Sequence, residues 1–161
     1  MIKTLLTALV FASMAFSLSA ADSTNRLHFP TEGFSIAALE VSPGQATQGA
    51  LMMFLPSRHG FAANVNVVIQ PYTDTIDQYT TLTLSQFKEG GITLIQQKKA
   101  GASSVIFEYS GVVNGNTLLW YAKAEKSGDH VYLVTATANK SDWSKQSAQL
   151  KACVDSFKCE P

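Results

Sequence analysis

The sequence predicts an α+β protein in which an antiparallel sheet of about seven to eight strands is packed between helices. Strand-length apolar runs separated by turn residues occur in two groups of four, and a stretch with helical spacing follows each group. The strands of the second group are apolar on both faces, which is typical of a sheet covered by layers on both sides. The expected element order is therefore four strands, helix, four strands, helix.

The chain begins with a segment typical of an export signal. Lys3 precedes an apolar run that ends in the small residues Ala20 and Ala21, so residues 1–21 are predicted to be a secretory signal peptide. An uncleaved membrane anchor is the alternative, but the apolar run is short for a spanning helix. The remaining residues, 22–161, are predicted to form a single α+β domain that has no integral membrane segment after signal cleavage.

Charge argues against a nucleic-acid partner. The chain has 12 Lys and Arg against 12 Asp and Glu. Phosphate binding needs clustered basic residues, and the nearest approach to a cluster is the pair Lys98 and Lys99. We therefore expect no nucleic acid.

The first four strands are predicted in "LHFP", "GFSIAALEV", "ALMMFLP" and "NVNVVIQPY". Alternation in the last run places Asn64, Asn66 and Gln70 on one face, and Arg58 and His59 lie in the turn before it. One interpretation is a solvated sheet edge. The other is that these five residues rim a protein-binding groove, because amides both donate and accept hydrogen bonds and Arg is enriched at interface hot spots.

The first helix is predicted from the run "DTIDQYTTLTLSQFKEGG". Asp74 or Thr75 is available as the N-cap, and Gly90 is expected to end the helix. The apolar face at helical spacing consists of Ile76, Tyr79, Thr83 and Phe87.

The second group of strands is predicted in "ITLIQQKK", "SSVIFEYSGVV", "NTLLWYAKAE" and "HVYLVTATAN". The connection "VNGN" is typical of a two-residue type I′ hairpin, which fixes the register. Val113 then faces Asn116, and counting back pairs Tyr109 with Trp120, Phe107 with Ala122 and Glu108 with Tyr121. Trp120 is predicted to lie in the core with Phe107, Tyr109, Leu118 and Leu133.

The second helix is predicted in "SDWSKQSAQLKACVDSF", with Ser141 as N-cap and an apolar stripe of Trp143, Leu150, Val154 and Phe157. Cys153 and Cys159 are expected to form a disulfide, because nearby cysteines of exported proteins usually pair. Their spacing then requires the helix to end near Phe157. A metal or redox pair fits less well, since the CxxC spacing is absent.

The sequence has no recognisable catalytic signature. His28, His59 and His130 lie far apart and belong to no HExxH motif, no GxSxG motif is present, and "KEGG" ends a helix instead of opening one. We predict no catalytic residues, no metal ligands and no cofactor.

Several segments resemble the PsbP and Mog-type fold, and in particular the DcrB-like proteins of bacterial envelopes. They are "FLPSRHGFAANVNVVIQPY" running into "TIDQY", then "VIFEYSG", "LLWYAKAEKSGDHVYLVTATA" and the closing "DW". The resemblance spans residues 28–158. It implies an antiparallel sheet between helices and a non-catalytic role in binding other proteins.

Three functions follow as expectations. The first is an exported periplasmic or secreted accessory protein that binds another envelope protein without catalysis. The second is a small-molecule or lipid-binding module, with Leu119, Tyr121 and Tyr132 lining a cleft under a helix. The third is a hydrolase whose site is assembled only in the fold.

Overall fold

The computed structural model describes residues 26–29, 33–37 and 48–159. The predicted signal peptide lies outside these residues. The chain divides into two compact units, Met1–Glu40 and Val41–Pro161. In the first unit, strand β1 (Arg26–Phe29) pairs antiparallel with strand β2 (Phe34–Ala37).

The second unit contains one six-stranded antiparallel sheet and two helices. Its elements in chain order are β3 (Gln48–Phe54), β4 (Asn64–Pro71), α1 (Ile76–Glu89), β5 (Thr93–Lys99), β6 (Ser104–Val113), β7 (Asn116–Ser127), β8 (His130–Asn139) and α2 (Lys140–Asp155). The strand order in the sheet is β3-β4-β8-β7-β6-β5. The predicted element order is confirmed, whereas the predicted sheet of seven to eight strands is corrected to six strands, with β1 and β2 forming a separate pair.

Helix α1 begins and ends where the sequence predicts. Thr75 is the N-cap: its hydroxyl accepts a hydrogen bond from the Gln78 backbone N–H at 3.2 Å, and the Gln78 side chain accepts one from the Thr75 N–H at 3.1 Å. This capping box satisfies two N–H groups that would otherwise lack a partner. The helix ends at Gly90.

The "VNGN" hairpin sets the register of the second half as predicted. Asn114 and Gly115 have φ of +50° and +78°, as a type I′ turn requires. Val113 pairs with Asn116, and the other three predicted pairs are also formed, namely Tyr109 with Trp120, Phe107 with Ala122 and Glu108 with Tyr121.

The two helices cover opposite faces of the sheet. Neighbouring residues along a strand point to opposite sides, so each strand contributes alternate residues to the two cores. On the α2 side the buried core includes Val65, Tyr121, Val134, Ala136, Leu150 and Val154. On the α1 side it includes Ile76, Tyr79, Val105, Phe107, Ala124 and Val131. Trp120 shares a face with Phe107 and Tyr109 as predicted and stacks on Tyr109 with ring centroids 5.2 Å apart. It is only half-buried, so it lies at the margin of the core and not inside it.

Helix α2 begins earlier than predicted. Its N-cap is Asn139, not Ser141, because β8 remains paired with β7 up to the Asn139–Leu118 pair and passes directly into the helix. Three residues of the predicted apolar stripe lie on the helix, with Leu150 and Val154 buried and Trp143 packed against their cluster. Phe157 packs against the same cluster but follows the end of the helix at Asp155.

The predicted disulfide is absent, and Cys153 and Cys159 are free thiols. Cys153 lies in the last turn of α2 and packs against the α2-side core. The chain leaves the helix after Asp155, and the Cys159 thiol lies beside Glu125 and Ser127 of β7. The two thiols therefore face different surroundings.

Within the described residues, no helix is both long and apolar enough to cross a membrane.

Candidate functional site

The five residues predicted to form a binding surface do not lie on one surface. Asn64, Asn66 and Gln70 do share a face of β4, since they pair with Thr137, Thr135 and Val131 of β8. However, β4 lies between β3 and β8, so it is not the sheet edge that the sequence suggested. Its backbone is hydrogen-bonded on both sides, and any contribution to binding must come from its side chains.

Gln70 is engaged in packing α1 onto the sheet. Its side-chain oxygen accepts a hydrogen bond from the Tyr79 hydroxyl at 2.6 Å. Tyr79 is 7% exposed, and burial raises the pKa of its hydroxyl to about 12. A buried hydroxyl needs a partner, and Gln70 supplies it.

Asn64 and Asn66 remain half-buried on the α1 side of the sheet. The Asn64 amide donates to the Ala62 carbonyl at 3.2 Å. On the neighbouring strand β3, Phe54 lies opposite Asn64 and Met52 lies opposite Asn66. The two amides therefore adjoin apolar side chains of β3, which is the edge strand next to β4.

Strand β3 is an apolar edge. Leu51, Met52, Met53 and Phe54 are 49%, 54%, 43% and 61% exposed. The strand, QGALMMF, has no charged residue, whereas the other edge strand, β5, carries Lys98 and Lys99. Natural sheets usually protect an edge with charges or proline, so an unprotected apolar edge indicates an interaction surface.

Arg58 and His59 lie in a separate hairpin turn, in which the backbones of Arg58 and Phe61 exchange two hydrogen bonds of 2.9 Å. Both central residues of this turn, His59 and Gly60, have positive φ, +48° and +78°. The His59 Nδ1 lies 3.0 Å from an Asp142 carboxylate oxygen in the first turn of α2. The His59 hydrogen bond thus links the turn to α2, on the face of the sheet opposite Asn64 and Asn66.

Asp142 is a buried carboxylate, 3% exposed. The hydrogen bond from His59 lowers the pKa of Asp142 against the opposing effect of burial, and the charges of Lys145 and Arg58 lower it further. Its second oxygen, Oδ1, has no hydrogen-bond partner among the described residues. The His59 hydrogen bond is therefore the main interaction that keeps this buried group ionised.

Two cavities adjoin these elements. One, of about 170 Å³, is apolar and lies between β3 and α2, where Met53, Leu55, Val65, Leu150 and Cys153 are among its lining residues. The other, of about 480 Å³, is polar and lies at the start of α2, lined by His59, Gly115, Asn116, Thr117, Asn139, Lys140 and Ser141.

Two of the three residues expected to line a ligand cleft, Tyr121 and Tyr132, instead contact α2 and the segment after it. The Tyr121 hydroxyl donates to Asp155 at 2.8 Å, and the Lys151 ammonium lies 4.9 Å from the Tyr121 ring centroid. Tyr132 packs against Phe157 with ring centroids 5.9 Å apart. Neither cavity above is lined by Tyr121, Tyr132 or Leu119.

Sequence reasoning missed Asp142, Met52 and Phe54. The apolar edge has a signal, because "ALMMF" lacks both the alternation and the charge expected of a strand with one solvated side. Asp142 has no such signal, since its partner His59 is 83 residues away in the chain.

Comparison with known proteins places the chain by its fold alone. No family model matches the sequence, and no curated protein sequence matches it. The crystal structure of PA94 from Pseudomonas aeruginosa, a protein of unknown function, matches with a TM-score of 0.66 and 13% sequence identity, over 84% of this chain and 96% of that chain. The solution structure of cyanobacterial PsbP (CyanoP) from Synechocystis sp. PCC 6803 matches with a TM-score of 0.47 and 10% identity, over 89% and 99%.

The likeness to PA94 shows a shared α+β fold. The resemblance to DcrB-like proteins stays a prediction.

Proposed function

We propose that this protein is exported to the periplasm and acts there without catalysis, by binding an extended segment of another envelope protein along β3. The exposure of four consecutive apolar side chains on this edge strand, Leu51 to Phe54, carries the proposal. Export rests on the signal-peptide layout of residues 1–21.

An edge strand can bind a partner through its backbone. Among the described residues β3 pairs only with β4, so the N–H and C=O groups on its other side are available to an added strand. Side chains on alternate faces then provide specificity, with Leu51 and Met53 on the α2 side and Met52 and Phe54 on the α1 side.

Asn64 and Asn66 supply a polar border to this surface. Each lies directly across from an exposed apolar residue of β3, and each amide can donate and accept hydrogen bonds. An apolar centre with a polar rim is the usual arrangement of a protein interface.

The two edge strands provide a matched pair of variants. Met52 on β3 and Ile95 on β5 are each 54% exposed. A lysine at either position adds the same charge to an edge at little risk to the core. We expect Met52→Lys to weaken capture of the partner from the native envelope at least tenfold, the loss typical of a hot spot, and Ile95→Lys to leave capture unchanged.

The experiment uses a photo-crosslinking residue at position 52 or 95 of the full chain, produced in the native envelope. A discrete protein that crosslinks from position 52, and that co-purifies with the unlabelled wild type but not with the unlabelled Met52→Lys variant, supports the proposal. Equal capture by wild type and the Met52→Lys variant overturns it. Intact-mass measurement of the same material tests export, since the proposal requires a mature chain beginning at Ala21 or Asp22.

A further inference from the structure

The polar cavity of about 480 Å³ lies where three backbone features meet. One is the hairpin turn that holds His59, the second is the Asn114–Gly115 turn, and the third is the start of α2. Turns and a helix N-terminus both expose backbone N–H groups.

His59 occupies a position that normally favours another residue. The first central residue of a type I′ turn is preferably Asn, Asp or Gly, and this chain uses Asn at the equivalent position, Asn114. Backbone geometry therefore does not account for His59. The Nδ1 atom of its ring is bound to Asp142, and the side chain lines the cavity, leaving Nε2 as the nitrogen available to a ligand.

The N-terminus of α2 has no side-chain cap. Asn139 occupies the N-cap position but makes no capping hydrogen bond, although Asn is among the best capping residues. It is only 8% exposed and lines the cavity. A buried amide beside uncapped helix N–H groups suits a ligand that accepts hydrogen bonds.

The charges around the cavity favour an anion. Lys140 lines it, and Arg58 and Lys145 lie close enough to Asp142 to lower the pKa of its carboxyl. Asp142 is the opposing charge, and His59 is hydrogen-bonded to it. The positive end of the α2 dipole adds to the same preference.

We infer that this cavity binds a small oxyanion, a carboxylate or phosphate group. The donors are the first N–H groups of α2, the Lys140 ammonium, the Asn139 amide and the Nε2–H of His59. Because Nδ1–H donates to Asp142, a neutral His59 has no proton on Nε2, so only the imidazolium can donate to the anion. This inference does not depend on the proposed function, which concerns β3.

The test titrates the folded chain with inorganic phosphate and, separately, with acetate, while the backbone amide signals are followed by NMR. We expect saturable shifts centred on Lys140, Ser141 and Asp142 with at least one of the two anions. Saturation by phosphate alone or by acetate alone also supports the inference and identifies the preferred group. Non-saturating shifts with both anions overturn it.

Variants connect the binding to the named donors. His59→Asn keeps a residue suited to the turn, as Asn114 shows, and is expected to weaken binding at least tenfold; Lys140→Met is expected to weaken it at least threefold. His130→Asn, at an exposed histidine that does not line the cavity, is the control and should bind as wild type does.

The ring signals of His59, followed in the same NMR titrations, provide a readout that a purely structural role of His59 would not change. They should shift with the same saturation midpoint as the backbone signals of Lys140 and Ser141. If His59→Asn fails to give a native spectrum, Lys140→Met decides the question, because Lys140 is exposed and its substitution puts no core packing at risk. Unchanged affinity in that variant contradicts the inference.

Discussion

Substitution of Gly111 on β6 tests the packing of the α1 side of the sheet. A Cβ added at this position would lie 2.8 Å from the Ile92 Cδ1 and 3.3 Å from the Trp120 Cζ3. The Ile92 methyl can move by rotating its side chain. The Trp120 ring has less freedom, because it stacks on Tyr109 at an interplanar angle of 17°. Gly111→Ala should therefore displace the indole from this stack.

The expected size of the effect follows from two opposing terms. Overpacking costs about 1–3 kcal/mol. Alanine also reduces the backbone freedom of the unfolded chain, which stabilises the folded protein by about 0.4–1 kcal/mol. The two ranges leave a net loss of unfolding free energy of about 0–2.6 kcal/mol, about 1.3 kcal/mol at their midpoints, which at this chain length lowers Tm by roughly 3–5 °C.

Gly49→Ala on β3 is the matched control. Nothing lies within 4 Å of a Cβ added there, and Gly49 does not have a positive φ. Only the unfolded-state term remains, so Tm should stay the same or rise slightly. Urea and thermal unfolding of both variants measure the effect, and Trp fluorescence reports the displacement of Trp120. Equal stability of the two variants would refute the packing argument.

Two further predictions concern ionisation and helix capping. Burial raises the pKa of Tyr79, Tyr109 and Tyr121 to about 12, so an absorbance titration should detect three phenolates that form only near that pH. Their contribution to stability is complete below the ordinary value of 10 and is lost as pH rises towards 12; three groups that titrate near pH 10 in the folded protein would contradict this. Thr75→Ala removes the α1 capping box and should lower the free energy of unfolding by about 1 kcal/mol, whereas Thr81→Ala, at an exposed mid-helix position, should leave it unchanged or raise it. An equal loss in both variants would show that the cap is not responsible.

Local features of this fold could be predicted from the sequence because their causes are local. Thr75 and Gln78 are three residues apart, so the capping box can be read directly. The two-residue "NG" loop determines all the pairs of the β6–β7 hairpin. In each case the residues that specify the feature, and the feature itself, lie within one short segment of the chain.

Long-range features could not be predicted in the same way. The position of β4 inside the sheet depends on its pairing with β8, about sixty to seventy residues later in the chain, and no local pattern specifies that partner. The same holds for His59 and Asp142. The start of α2 was wrong by two residues because the preference of Ser for N-caps was outweighed by strand pairing that continues to Asn139.

The pairing of β4 with β8 also implies an order of assembly. Strands β6, β7 and β8 are joined by short hairpins, so their contacts close small loops and can form early. Strand β4 must close a loop of about sixty residues or more to reach β8, and within the described part of the chain β3 is attached to the sheet only through β4. We therefore expect β3 to join the sheet after the hairpins have formed. The apolar edge then acquires its extended geometry only in a nearly complete molecule, so any strand that adds to it requires the hairpins of the sheet to be in place first.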